Sequence, residues 1–467
     1  MISKAMVVAA RSAAAEAGAQ ALAAGGSAVD AAVATGFALC VVDQANCGIG
    51  GYGGFLTYLP PQGRAVCVDF NTWVPDRFDV AGFRLPGDDS QLVDGGRSVA
   101  PPMVVPGLLA AHERFGRLPL GDVLRPALRL AREGFPVGRD LARALREHWE
   151  RTGGGTPEFA RIFHSHGAPL EEGGTLVQPE LASVLEEIGE RGADALRSGP
   201  LVEAICGATA ADGGLLAPED FLLDSVSIAP AGRVTFGPAT VCGAPRETSG
   251  AGVLFDALAA VDPDRLRANR DRGYIAELAR ALRGAWDART AEARVALDAR
   301  HTTTMAAADA DGGLVALTFT QGSLYFGSGV VPPGTGIVLN AGANLFATAP
   351  DGPLAMTNMS PVVVDRGDGV RYALGATGGP RIPGLLLTAV VDVVHYRSTL
   401  ADAIAAPHLS VRALDGTLEA EPELLDVAGG GSPIGIGEFG PASGITRTVE
   451  GCEAAVDPRF GSGVATV

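Results

Sequence analysis

The chain shows two kinds of apolar pattern, which divide it near residue 300. Apolar positions with helical spacing dominate the first part, beginning with the alanine-rich segment 26–43, which has no helix breaker for several turns and stops before a glycine cluster. Two extended segments follow at 48–60 and 65–73, and the short connection between them predicts a hairpin. Helical patterns then fill 104–150, so this part of the chain is predicted to be mainly helical.

From residue 152 onwards the predicted structure changes from helix to strand. The glycine-rich segment 152–176 is predicted to be a loop, and 178–300 to hold helices around one short strand at 233–242, ending in an arginine-rich helix over 273–300. Beyond 302 strand patterns dominate, at 314–321, 336–340, 361–365 and 372–377. Because helices and strands do not alternate, this order favours an α+β fold with helices layered on sheets, in one structural body.

Composition narrows the class of protein. The 467 residues are 47% apolar, enough for a substantial core, and carry a net charge of −17, which argues against binding to nucleic acid or anionic membranes and favours a small-molecule substrate. The longest apolar run, 31–42, is shorter than the ~20 residues of a membrane span, and the N-terminus lacks a secretory pattern, so we expect a cytoplasmic protein. Lys4 is the only lysine, which argues against P-loop and Schiff-base chemistry.

Cysteine, glycine and histidine patterns give no sign of a metal or cofactor. The six cysteines show no C-x-x-C spacing, and the Asp/Gly turn at 309–313 lacks the terminal Glu of a calcium loop. The run GIGGYG at 48–53 has the letters of a dinucleotide fingerprint, but a helix is predicted before it and a strand after it, the reverse of what that motif needs. No Ser–His–Asp triad is evident. We therefore expect neither metal nor cofactor.

Three consecutive threonines stand where the helical part ends and the strands begin. Segments 302–308 and 314–320 have strand patterns and are joined by Asp-Ala-Asp-Gly-Gly, a five-residue hairpin turn. If the pairing is symmetric about Asp311, Thr302 lies opposite Thr320 with Cβ atoms ~5 Å apart. Alternation then puts small and hydroxyl side chains on one face and apolar ones on the other. Threonine is a good strand former, so the cluster alone indicates no more than a strand.

The segment 300–340 resembles the processing site of γ-glutamyltransferases, which are N-terminal nucleophile hydrolases; it reads RHTTTMAAADADGGLVALTFTQGSLYFGSGVVPPGTGIVLN. Six further segments are similar to the family in the same order: 25–55, 105–137, 213–221, 357–361, 375–383 and 454–463. The resemblance covers nearly the whole chain, and it implies a four-layer αββα sandwich.

The resemblance also implies a mechanism. Thr302 would be the nucleophile, and the chain would cut itself between His301 and Thr302 into a large subunit 1–301 and a small subunit 302–467 that form one intertwined body. The freed α-amine of Thr302, with an ordinary pKa of ~7.7–8.0, would then act as the base for the hydroxyl of the same residue. Thr320 is the expected partner of that hydroxyl, while Gly378 and Gly379 match the glycine pair whose N–H groups stabilise the oxyanion. Higher assembly is not readable from the sequence.

The chain departs from the family pattern in the processing motif and in the substrate pocket. Thr304 and Ala306 replace the family's His and Ser in the processing motif. Asn71 stands where the family has the Arg that binds the substrate α-carboxylate, and Leu345, preceded by Asn344, stands where it has the acid that binds the α-amino group.

The remaining polar contacts at the pocket are neutral. Thr357 and Asn358 replace a carboxylate-contacting serine pair and can still donate hydrogen bonds. No Asp or Glu occurs between 312 and 350, so a shifted alignment would not restore the missing acid. Since charged hydrogen bonds contribute roughly 1.5–3 kcal/mol each, the loss of both charged partners predicts that glutathione is not the substrate.

We therefore expect a small-molecule acyl substrate without a zwitterionic head, as in the cephalosporin-type acylases of the family, in a bacterial specialised pathway. Three alternatives stay open: hydrolysis of a carbon–carbon bond beside a carbonyl, as in family members of alkylproline antibiotic pathways; ordinary γ-glutamyl hydrolysis or transfer; and a catalytically silent homologue retained for binding. The presence of Thr302, Thr320 and the glycine pair favours an enzyme over the last.

Overall fold

The computed structural model describes residues 3–75, 78, 94–222, 225–290, 302–322, 324–343, 345, 356–413, 415–435 and 439–467. Its helices are α1 (Ser12–Ala23), α2 (Ala28–Val42), α3 (Val104–Phe115), α4 (Leu120–Glu133), α5 (Arg139–Thr152), α6 (Pro157–Phe163), α7 (Pro179–Arg191), α8 (Pro200–Ala211), α9 (Ala251–Ala260), α10 (Arg272–Thr290), α11 (Ile382–Val394), α12 (Leu400–Ala405) and α13 (Pro422–Ala428). Its strands are β1 (Met6–Ala9), β2 (Gly53–Leu59), β3 (Val66–Asp69), β4 (Phe135–Pro136), β5 (His164–Ser165), β6 (Ala168–Pro169), β7 (Thr175–Leu176), β8 (Ser227–Pro230), β9 (Gly232–Phe236), β10 (Ala239–Gly243), β11 (Thr303–Ala308), β12 (Leu314–Thr320), β13 (Val362–Asp365), β14 (Arg371–Ala376), β15 (Leu409–Val411), β16 (Leu418–Ala420), β17 (Ser432–Pro433), β18 (Ala442–Arg447), β19 (Cys452–Val456) and β20 (Gly463–Thr466).

Two antiparallel sheets form the centre of the molecule. The seven-stranded sheet has the order β20-β1-β11-β12-β2-β3-β8, and the six-stranded sheet has the order β19-β18-β14-β13-β10-β9. Helices α1, α2 and α3 cover the outer face of the first sheet, while α9, α11 and α12 cover that of the second. The inner faces of the sheets pack against each other. The predicted α+β fold with four αββα layers is therefore confirmed.

Helix α2 is buried along its whole length, as its apolar sequence predicts. It begins with a capping box, in which the Ser27 side chain accepts from the N–H of Asp30 and the Asp30 carboxylate accepts from the N–H of Ser27. Burial alone would raise the pKa of Asp30, but hydrogen bonds from His112 and from backbone N–H groups lower it to about 2. No helix in the described part of the chain is long and apolar enough to cross a membrane.

Small residues fill the space between the two sheets near the threonine hairpin. Ala306 and Ala316 on the seven-stranded sheet belong to the same buried cluster as Ala373 on the six-stranded sheet. Next to them, Gly375 faces Thr304 so closely that a Cβ atom on Gly375 would lie 2.1 Å from the Thr304 Oγ1. The sheets approach each other at this end because the residues between them are small.

Four local predictions were wrong. Segment 152–176, which was predicted to be a loop, also contains α6 and short strands. Three strands (β8, β9 and β10) replace the one expected at 233–242. Segment 336–340, which was predicted to be a strand, makes only an isolated bridge from Leu339 to Gly50. Helix α11 lies in a region where strands were expected to dominate. Every residue of α11 is buried, so its sequence has no polar face to mark the helical period. The predicted helix over 273–300 is present as α10, and 291–300 lies outside the described residues.

Asp69 is the last residue of β3, and it is half-buried. Its Oδ1 accepts from the N–H of Asn71 at 2.9 Å, and its Oδ2 accepts from the Thr248 hydroxyl at 3.4 Å. Burial raises the pKa of Asp69 to about 6, and these two hydrogen bonds oppose the rise only in part. Asp69 therefore titrates close to neutral pH.

Gly375→Ala is expected to destabilise the protein by about 1–3 kcal/mol, because the new methyl group would overlap the Thr304 hydroxyl. Adding Thr304→Ala should recover much of the loss, since it removes the overlapping oxygen. Gly121→Ala is the matched control, because no atom lies within 4 Å of a Cβ placed there. Urea unfolding of the four proteins measures the effect, and equal losses in the single and double variants would contradict the packing argument.

Asp69→Asn should change how stability depends on pH. Since the pKa is about 6 in the folded protein and ~3.9 when unfolded, the folded state binds more protons between these values, and stability falls as pH rises from 4 to 6. The asparagine variant lacks this fall, so it should be more stable than wild type above pH 7 by at most about 3 kcal/mol and similar to it at pH 4. Thermal unfolding from pH 4 to 8 measures this, and parallel curves would refute the assignment.

Candidate active site

The hairpin that carries the three threonines has the predicted register. Thr303 pairs with Phe319, and Thr304 pairs with Thr318. The hydroxyl oxygens of Thr304 and Thr318 are 3.1 Å apart on the face that meets the other sheet. The apolar residues of the opposite face, Phe319 among them, pack in the core that contains α1 and α2. The alternation of hydroxyl and apolar side chains is therefore explained by packing on both faces.

This register places Thr302, the residue before β11, opposite Thr320, the last residue of β12. Thr302 is half-buried, whereas Thr320 is 1% exposed, and the Thr320 Oγ1 accepts from the N–H of Gly322 at 3.1 Å. A fixed hydroxyl in this position is suited to hold the hydroxyl of its neighbour. His301 lies outside the described residues, so the cut before Thr302 stays a prediction.

Asn71 lies further along the same end of the sheet. Thr320 pairs with Gly53, and the register of β2 and β3 puts Gly53 opposite Asn71. A Cβ atom at Gly53 would lie 2.8 Å from the Cα of Asn71, so this glycine of the GIGGYG run allows close strand packing. At ~4.8 Å for each strand, Asn71 is about 14 Å from Thr302. The short, buried side chain of Asn71 does not span that distance.

The predicted oxyanion glycines follow β14 in the six-stranded sheet. Gly378 has φ +114°, and a Cβ atom there would lie 1.9 Å from the carbonyl oxygen of Phe439, so no other residue fits. Gly379 opens the short 3₁₀ turn Gly379–Arg381, which leads into α11. Backbone N–H groups at such a start of helical structure point outward and favour negative charge. Their geometry fits an oxyanion role, which remains a prediction.

A pocket of about 330 Å³ opens beside Thr302. Its polar and charged lining residues are Arg11, Asp43, Asn46, Asp140, Arg143, Glu147, Thr302, Thr304, Tyr325, Thr377, Ser443 and Ser462. Thr377 is the residue before the glycine pair. The candidate nucleophile and the entry to the candidate oxyanion site therefore face a common space.

One wall of this pocket is a charged group that the sequence analysis missed. Arg11 donates from Nε to Asp43 Oδ1 at 2.9 Å and from Nη1 to Asp140 Oδ2 at 2.8 Å. Asp43 beside it raises the pKa of Arg11, so the guanidinium stays charged. The three residues come from the end of β1, the end of α2 and the start of α5, and no sequence spacing connects them.

Most of the residues that stand at the family's glutamyl-contact positions lie within the described part of the chain. Thr357 is buried, its N–H donates to the Thr248 carbonyl at 3.0 Å, and its own carbonyl accepts from Arg289 Nη2 at 3.1 Å. Asn358 is half-buried, with its carbonyl accepting from the Ser360 hydroxyl. Leu345 packs against the core of the six-stranded sheet. Asn344 lies outside the described residues.

Comparisons with known proteins identify the family of the chain. A family model described as Gamma-glutamyltranspeptidase matches residues 14–296 and 289–467. The Acylase ACY 1 proenzyme of Pseudomonas sp. (strain SE83) is 31% identical over 479 residues, which covers 90% of this chain and 84% of the relative. The Glutathione hydrolase proenzyme of Escherichia coli (strain K12) is 27% identical over 463 residues, which covers 85% of this chain and 79% of the relative.

Solved structures show the same fold. The cephalosporin acylase from Bacillus halodurans matches with a TM-score of 0.85 and 22% sequence identity, and the match covers 99% of this chain and 96% of that one. The relatives include proteins named as acylases and proteins named as glutathione hydrolases, so membership of the family does not by itself determine which acyl group the enzyme accepts. The chain belongs to the γ-glutamyltranspeptidase family, and it is an enzyme of the N-terminal nucleophile hydrolase and transferase type.

Proposed function

We propose that the chain is a self-processing hydrolase or acyltransferase that uses Thr302 as its nucleophile and acts on an acyl group without a γ-glutamyl head. One observation carries the proposal. The strand register sets Thr302 against Thr320 at a polar pocket that also reaches Thr377, the residue before the glycine pair. Family membership supports the general hydrolase or transferase activity. The catalytic residues and the substrate class are our proposal.

Maturation requires the hydroxyl of Thr302 to attack the carbonyl carbon of His301. The C–N bond between the two residues breaks, the amine stays on Thr302, and an ester joins His301 to the hydroxyl oxygen. Water then hydrolyses the ester, which leaves a carboxylate on His301 and a free α-amine on Thr302. The products are residues 1–301 and 302–467.

In the mature enzyme the α-amine of Thr302 accepts the proton of its own hydroxyl as the oxygen attacks the substrate carbonyl. The tetrahedral oxyanion is stabilised by the N–H groups of Gly378 and Gly379, which need no side chain for this role. When the substrate C–N bond breaks, the α-ammonium returns its proton to the departing amine. Water or a second amine then releases the acyl group from Thr302.

The acyl preference follows from two neutral positions. Asn71 and Leu345 stand where the family pattern has a cation and an anion for the glutamyl head, and Asn71 lies about 14 Å from Thr302. Two lost charged hydrogen bonds of roughly 1.5–3 kcal/mol each correspond to a 10²- to 10⁴-fold loss for a γ-glutamyl substrate. An uncharged acyl chain loses nothing by the same replacements.

Self-processing can be tested by intact mass under denaturing conditions. Wild type is expected to give fragments 1–301 and 302–467, and Thr302→Ser, which keeps a hydroxyl, is expected to give the same fragments. Thr302→Ala lacks the attacking oxygen, so it should remain one chain. An uncut wild-type chain would refute the proposal and favour a silent binding homologue.

The acyl preference can be tested with two p-nitroanilides, γ-glutamyl and butyryl, which differ only in the amino and carboxylate groups of the head. With both charged partners lost, kcat/KM for the γ-glutamyl compound should not exceed that for the butyryl compound. Thr302→Ala supplies the background rate. A γ-glutamyl preference of 100-fold or more would show that other residues hold the head, and the proposal of a non-glutamyl substrate would fail.

A further inference from the structure

Two residues that line the pocket beside Thr302, Asp43 and Ser443, each carry a buried polar atom without a hydrogen-bond partner in the described parts of the chain, and we infer that the pocket binds a positively charged amine carried by the leaving group of the substrate. This inference rests on the proposed function, because it assigns a ligand to the same site. It concerns the side of Thr302 that faces β1, away from Asn71.

Strand register fixes the position of this wall. Ala9 pairs with Met305, and the same pairing continued brings Arg11 opposite Thr303, next to Thr302. The sheet order β1-β11-β12-β2-β3 then sets Arg11 and Asn71 on opposite sides of Thr302. Since the acyl contacts are assigned to the Asn71 side, the β1 side is left for the departing amine.

Asp43 supplies the first unpartnered atom. Its side chain is 1% exposed, and its Oδ1 accepts from Arg11 Nε at 2.9 Å and from Asn46 Nδ2 at 3.0 Å. Its Oδ2 is buried and accepts no hydrogen bond from any described residue. A buried carboxylate oxygen that accepts no hydrogen bond raises the free energy of the folded state. A ligand that donates a hydrogen bond to this oxygen would remove that cost.

Ser443 supplies the second unpartnered atom. It lies near the start of β18, lines the same pocket as Asp43 and Thr302, and is 3% exposed. Its hydroxyl is buried, and within the described ranges it has no hydrogen-bond partner either. Because a hydroxyl oxygen can accept while the carboxylate also accepts, the two groups together match an ammonium, which has three donors and no acceptor.

The charges of the wall favour a cation over an anion. Arg11 contacts Asp43 and Asp140, while Arg143 lies 3.7 Å from Asp140 and 4.0 Å from Glu147, so three carboxylates meet two guanidinium groups. Asp140, Arg143 and Glu147 are exposed and screened by solvent, which leaves the buried Asp43 as the dominant contact. An anionic ligand would have to compete with Asp43 for Arg11, whereas an ammonium takes the oxygen that Arg11 leaves open.

The substrate class is therefore an amide whose amine product carries a second, protonated amine. The scissile carbonyl lies at Thr302, the acyl chain extends towards Asn71, and the ammonium of the leaving group reaches Asp43 and Ser443. A pocket of about 330 Å³ holds a group of the size of a substituted ring.

The test compares wild type with Asp43→Asn on three butyryl anilides that differ in the para group of the aniline: aminomethyl, methyl or carboxylate. Wild type should prefer the aminomethyl compound over the methyl one by roughly 10- to 100-fold in kcat/KM, as expected for one charged hydrogen bond, and should use the carboxylate compound least. In Asp43→Asn the advantage should fall to within about twofold through a higher KM for the aminomethyl compound alone.

Asp140→Asn is the matched control, because it removes the exposed carboxylate from the same arginine and leaves Asp43 in place. It should keep the preference within about threefold. Absence of a charge preference in wild type would overturn the inference. An equal loss for all three anilides in Asp43→Asn, or a common shift of the acidic limb of the pH–rate profile, would also overturn it, because Asp43 would then act on the fold or on the α-amine of Thr302.

A binding measurement separates this inference from the proposed function. Benzylamine should raise the unfolding temperature of Thr302→Ala, benzoate should not, and the double variant with Asp43→Asn should lose the response to benzylamine. Catalytic inactivity of wild type together with this binding pattern would refute the proposed function alone. A Thr302→Ala protein that does not respond to benzylamine would refute the amine site.

Discussion

The close approach of the two sheets depends on the small size of the residues between them. Ala306 and Ala316 meet Ala373 in the middle layer, and Gly375 leaves room only for the hydroxyl of Thr304. This contact brings the end of β14 over the threonine hairpin, so the chain that leaves β14 passes the pocket before it turns at Gly378. The distance between the candidate nucleophile on one sheet and the candidate oxyanion glycines on the other is therefore set by alanines and a glycine to which no chemical role is assigned.

Local patterns allowed part of this arrangement to be predicted. The register of Thr303 with Phe319 follows from a turn of defined length and a strict period of two, which are both local properties. Helix α2 was predictable because its apolar run is long, whereas α11 is equally buried but lies among strand-like segments, and its period is hidden by the absence of a polar face. Segment 336–340 has three consecutive apolar residues of a kind common in strands, but most of its hydrogen bonds go to loops rather than to a neighbouring strand.

The charged wall of the pocket could not be predicted in the same way. Arg11, Asp43 and Asp140 are separated by 32 residues or more along the chain. Each is a charged residue near the end of a helix or strand, where such residues are common, so none of them indicates a site by itself. Only the fold shows that they meet beside Thr302. Along the end of the seven-stranded sheet, Asn71 puts an uncharged side chain where the family pattern has a cation, while the β1 side carries Arg11 and Asp43. The buried charge of Asp43 acts in a medium of lower dielectric constant than water, which strengthens its interaction with any charged group that enters the pocket.

The sheet order has a consequence for the assembly that a cut before Thr302 would produce. In the seven-stranded sheet, β20, β11 and β12 belong to 302–467, and β1, β2, β3 and β8 belong to 1–301, so β1 lies between two strands of the other piece. The six-stranded sheet is shared as well, with β9 and β10 from the first piece. The pieces would be interleaved rather than docked, and neither could leave without opening both sheets. Once denatured, such a protein would have to refold by a bimolecular reaction, although it had first folded as a single chain.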